Sequence, residues 1–204
     1  MILIIAVTAL TACAAVRDQT HGTETTSTNW RAVITSNDLD RTGKWRTAFT
    51  VALAKARGAG HGAEIDREGA LLQPDAALGP TPIPNGNYKC RVIKLGAKGE
   101  GNLDYIAYPA FDCRIQQEGE LQGFAKLNGS QRQVGLIFPD SELRQMFLGT
   151  LVLGDEQRAM QYGRDADRDV VGWVERVGDN RWRVIMPYPH FESTLDVMEL
   201  VPAS

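Results

Sequence analysis

The sequence predicts an α+β fold, an N-terminal helical segment followed by an antiparallel up-and-down β-barrel or barrel-like sheet. Three observations carry this. Apolar residues recur at helical spacing as far as Arg57, and beyond Gly86 the period changes to two. About eight or nine short alternating segments then follow, separated by Gly-rich or polar turns. The 204 residues are 43% hydrophobic and 23% charged, which is enough apolar material for one core.

The chain opens with "MILIIAVTALTA", which is shorter than the about 20 residues a helix needs to cross a bilayer and matches the apolar region of a signal peptide. "LTAC" (10–13) resembles the cleavage box of bacterial lipoproteins, with an apolar residue and two small ones before a cysteine. The resemblance implies cleavage after Ala12 and acylation of Cys13. With Ala14 rather than Asp next, it also implies an outer-membrane anchor facing the periplasm. No basic residue precedes Arg17, which leaves open whether Met1 is the true start. Residues 14–29, "AAVRDQTHGTETTSTN", hold too little apolar surface to fold alone. As a flexible tether they would span roughly 20–24 Å. The expected organisation is therefore a signal over 1–12, a lipidated cysteine and tether over 13–29, and one globular domain over 30–204. Within that domain the helical part covers 30–79 and the β-rich part 80–204.

From Thr35 to Arg57 the pattern is helical, with Trp45, Phe49 and Leu53 on one stripe. Thr35-Ser36-Asn37-Asp38 is a start signal and Gly58 with Gly60 a stop. Gly43 weakens the middle by about 1 kcal/mol, so two shorter helices are an alternative. "HGAEIDREGALL" (61–72) offers another helical turn, and "QPDAALGPTPIPNG" (73–86) is a connector to a different architecture.

In "YKCRV", Tyr88, Cys90 and Val92 share one parity; in "FDCRI", Phe111, Cys113 and Ile115 do the same. Further strands are expected over 103–108, 121–128, 132–138, 146–153, 170–178, 181–188 and 194–201. The segment 146–153 is apolar on both faces and reads as a central strand, with Gly149, Thr150 and Val152 arguing against a helix. Trp173, Phe138 and Tyr105 are expected to point inward and help fill the barrel. Trp173 and Trp182 are expected to pack across a hairpin. With Cys13 assigned to lipid, Cys90 and Cys113 read as a disulfide in an oxidising compartment, the alternative being two buried thiols.

Few residues suggest chemistry. His190 stands near Glu192 and Ser193, as an acid/base group with an orienter could, or as a rim histidine. Asp165, Asp167 and Asp169 alternate like the start of an EF-hand loop, but Val170 and Arg176 occupy the positions that need Gly and Glu. Glu118 and Glu120 flank a predicted turn. No nucleophile elbow, phosphate loop or dinucleotide fingerprint occurs, no cofactor is expected, and no zinc ligand set is present. The net charge of −3, spread along the chain, argues against nucleic acid as a partner.

The set "KWRTAF", "LLQPDAAL", "CRVIKLG", "YPAFDCRI", "GSQRQVGLIFPD", "FLGTLVLGDE", "YGRDADRD" and "FESTLDVMELVP" resembles an uncharacterised family of Gram-negative envelope proteins, a domain of unknown function. The resemblance spans Trp30 to Pro202 and carries no activity, cofactor or catalytic residue. Gly86-Asn87-Tyr88, opening an antiparallel series, is also similar to lipocalin- and avidin-type barrels. The expected function is non-enzymatic: a lipid-anchored envelope protein that binds a small apolar ligand or an envelope protein. The alternative is a periplasmic hydrolase using His190 or the carboxylates of 154–169.

Overall fold

The computed structural model describes residues 27–80 and 82–203. The signal, Cys13 and almost all of the tether lie outside the described residues. After a 3-10 turn over Trp30–Ala32, helix α1 (Ser36–Gly43) begins where the Thr35 hydroxyl accepts the Asp38 amide at 3.2 Å. The helix breaks at Gly43, and α2 (Trp45–Gly58) continues it as a separate segment. Gly60, with φ +96°, supplies the left-handed residue beyond its end. A short α3 (Gly62–Glu68) and a 3-10 turn (Gly69–Leu72) complete the helical part.

Nine strands follow: β1 (Gly86–Ala97), β2 (Tyr105–Ala107), β3 (Phe111–Glu118), β4 (Leu121–Lys126), β5 (Gln131–Pro139), β6 (Gln145–Leu153), β7 (Asp169–Gly178), β8 (Arg181–Pro187) and β9 (Ser193–Pro202). Sequential antiparallel pairing runs from β3 to β9, and β9 pairs back onto β1, so eight strands close a barrel. Strand β2 is the exception. The lower half of β1 pairs with β3, ending at Cys90 opposite Phe111; its upper half pairs with β2, Ile93 opposite Ala107. The wall forks there. The Cys90–Cys113 disulfide, with Cα atoms 5.9 Å apart, ties β1 to β3 just below the fork.

The interior holds Tyr88, Phe124, Phe147, Trp182, Met198 and their aliphatic neighbours. Two inward glycines make room for their neighbours' side chains. A Cβ on Gly149 would lie 2.6 Å from Phe147, and one on Gly172 would lie 2.7 Å from Val184. The connector seals the lower end: Ile83 is 1% exposed, and the Tyr88 hydroxyl donates to the Pro84 carbonyl at 2.6 Å.

Trp173, Phe138 and Tyr105 do not fill this interior. All three lie on the outer parity and pack beneath the N-terminal segment. Trp173 meets Trp30 edge-on at 5.7 Å. Nor do Trp173 and Trp182 pair across their hairpin: Trp173 sits opposite Ile185 and Trp182 opposite Arg176, on opposite faces of the wall. The physical reason is that much of the barrel's outside is also core. Helix α2 and the turn at Trp30 cover β1 and β5–β9, so both faces of those strands are apolar and buried.

Candidate functional site

Towards the upper end of the barrel the inward parity continues but the residues become polar. Lys94 follows Val92 on β1, Lys126 follows Phe124 on β4, Gln133 precedes Ile137 on β5, and Asp196 precedes Met198 on β9. All four are buried. The Lys94 ammonium sits 3.1 Å from both Asp196 and Glu192, and the Ser193 hydroxyl donates to Asp196. Burial pulls Lys94 down, and the two carboxylates more than restore it, holding it above the usual lysine value.

Lys126 is different. It is 5% exposed, and its ammonium donates to the Gln131 carbonyl at 2.7 Å and rests 3.7 Å from the Phe111 ring centre. Among the described residues, no carboxylate pairs with it. Burial first, then the repulsion of Lys94 and Arg132, push its pKa down to about 8.

Lys126 lines a recess of about 360 Å³ together with Val92, Lys94, Tyr108, Phe111 and Gln133. This recess lies at the fork, where β1 has left β3 and the Tyr108 amide bonds the Val92 carbonyl at 3.0 Å. Its volume is at the lower end of the about 300–1,000 Å³ usual for small-molecule pockets.

A second cavity of about 20 Å³ is bounded by Arg41, Lys94, Gln133, Asp167, Asp169 and His190, among others. His190, Asp167 and Asp169 therefore meet at one place, and Asp165 does not line it. His190 Nδ1 is 3.8 Å from Asp167, too long for a hydrogen bond, and its Nε2 is buried without a partner. Burial, then Arg41, lower its pKa and favour the neutral ring. The loop that carries it is strained: Tyr188 and Glu192 hold left-handed backbones at φ 46° and 66°. Asp169 accepts the Gly163 amide at 2.9 Å, while its carbonyl accepts Arg41 at 2.6 Å. Asp165 accepts the Asp167 amide at 3.1 Å and pairs with Arg168 at 3.4 Å. These aspartates order a loop. Glu118 and Glu120 are exposed at the far, closed end.

Among the described residues, no group of three or more His, Cys, Asp or Glu is gathered to hold a metal ion. Ser193 bonds Asp196 and the Phe191 carbonyl rather than His190. Sequence reasoning missed Lys94, Lys126, Gln133 and Asp196. The signal was present, since each is a polar residue on the parity of its strand's apolar ones.

A family model for a domain of unknown function, DUF4893, matches residues 30–200. The chain belongs to that family. Neither the curated proteins nor the solved structures contain a match to it.

Proposed function

We propose that this protein is a non-enzymatic, lipid-anchored protein of the bacterial cell envelope whose barrel mouth binds a small, largely apolar molecule. One observation carries the ligand reading: the barrel is packed solid below, yet leaves a 360 Å³ recess at the fork, walled by Val92, Tyr108 and Phe111. Well-formed pockets of this kind, apolar with a few convergent polar groups, are where small molecules bind. The Cys90–Cys113 bond supports an oxidising compartment, and the "LTAC" box supports the anchor at Cys13. The hydrolase alternative has less support, because His190 stands beside exposed or structurally engaged carboxylates with no hydroxyl directed at it.

Two measurements test this reading. Mass spectrometry of the membrane-extracted chain should find Cys13 as the acylated N-terminal residue; a free thiol there refutes the anchor. A thermal-shift screen of small apolar compounds should find stabilisers of the wild type that lose their effect in Ser130→Trp, because Ser130 also lines the recess and the variant places an indole there. Stabilisation unchanged by that variant would move the ligand elsewhere.

A further inference from the structure

The recess contains more than apolar walls, and its polar groups are unequal. Lys94 is neutralised twice, by Asp196 and Glu192. Lys126 carries a charge that no described carboxylate balances, and of its three N–H donors one is engaged, by the Gln131 carbonyl. Gln133, which borders both cavities, has its side-chain oxygen, an acceptor, buried with no partner. Buried groups of this kind are costly to leave unpaired and mark places where a partner is meant to arrive.

Resting on the reading of the mouth as a ligand site, we propose that the recess binds a small apolar monocarboxylate. Its carboxylate pairs with the free N–H donors of Lys126, and its body lies against Val92, Tyr108 and Phe111. Charge and solvation select this class. A metal cation is excluded by the ammonium. A dianion such as phosphate would meet one free cation and the Glu192 carboxylate on the same wall. A bare inorganic ion would give up its hydration to aromatic surface. A monoanion with an apolar body matches one unpaired charge within an apolar wall. The polarity is fixed as well: the Lys94 side of the recess carries the two carboxylates, so the anionic end goes to Lys126.

The test uses the full chain as cells make it, titrated calorimetrically with 4-phenylbutyrate and with 4-phenylbutan-1-ol, its neutral counterpart. The carboxylate should bind at least about tenfold tighter, as expected for a charge-assisted pair against a neutral group. Lys126→Met should abolish that preference while leaving the alcohol's affinity within about twofold. Lys126→Arg should retain it. Above pH 8 the carboxylate's affinity should fall by about tenfold per unit, because the bound form needs the ammonium. The other titratable or charged groups around the recess are Lys94, Arg132, Glu192, Asp196 and the Tyr108 phenol. Lys94 is held above its ordinary value, so a midpoint near 8 points to Lys126. Equal binding of acid and alcohol in wild type and Lys126→Met would overturn the carboxylate proposal and leave the ligand site standing. Carboxylate binding that survives Lys126→Met unchanged would overturn the role of Lys126. Binding of neither compound would overturn the proposal, while the compound screen above still decides whether the mouth takes a ligand.

Discussion

Two of the buried cations in this barrel, Arg183 and Lys126, are treated in opposite ways. Arg183 points outward from β8 beneath the turn at Gly69–Leu72, and it is fully buried. Its guanidinium donates to Glu175 at 2.6 and 2.9 Å and to the carbonyls of Ala70, Leu71, Gln73 and Pro74 at 2.7–3.0 Å. All five of its donors are engaged. Lys126, inside the mouth, has one carbonyl and one ring face. The first arrangement stitches the helical segment to the wall. The second leaves binding capacity unused, which is what a site held ready for a ligand looks like and what a structural pair does not.

The largest break in this comparison should come from Arg183→Leu, which strands Glu175 in the core. A loss of about 3–5 kcal/mol is expected, read from the urea midpoint at unchanged slope. Adding Glu175→Leu should recover much of it, since Arg144, the other partner of Glu175 at 2.6 Å, is partly exposed and can be hydrated. Next in size is the disulfide below the fork. Cys90→Ala with Cys113→Ala removes a cross-link between residues 23 apart and should cost about 3 kcal/mol in the chain-entropy model. The same variant should also weaken ligand binding, because the fork loses its tie.

Lys126→Met should have the opposite sign. Removing a desolvated, unpaired ammonium is expected to stabilise by about 1–3 kcal/mol while destroying anion recognition, the pattern expected of a functional residue rather than a structural one. The pH dependence follows the same sign. A lysine depressed to about 8 in the folded state leaves the unfolded chain binding more protons between pH 8 and about 10. Wild-type stability should therefore carry a rising component across that window, and Lys126→Met should lose it. The smallest effect belongs to the exposed pair Lys89–Asp112 on β1 and β3, where Lys89→Ala should change stability by less than about 0.5 kcal/mol.

Much of the architecture was legible because parity was legible. Cys90 and Cys113 each share a face with apolar neighbours, and that alone brings their side chains into one interior. The capping threonine at 35 was equally plain, whereas the break at Gly43 stood only as the alternative to a single helix. Legibility failed where both faces of a strand are buried. Around Trp173, inward Val174 and outward Val171 are equally apolar, so nothing in the sequence marks which side faces the helices. The fork was also hidden, because "YKCRVIKLGA" reads as one strand while its two halves take different partners. At the mouth, Lys126 and Asp196 look in sequence like any other strand charge; only their parity with Phe124 and Met198 distinguishes them.

The seam where β1 meets β9 has a kinetic corollary. Strands β3 to β8 pair with sequence neighbours and can zip hairpin by hairpin, whereas the seam joins partners such as Arg91 and Glu199, 108 residues apart. Closing so long a span comes late and slowly in folding. Until it happens, both marginal strands present bare amide edges able to recruit a neighbouring molecule. A nascent chain thus spends its most vulnerable interval as an open ribbon, and a chaperone that shields those two edges would shelter it through that interval.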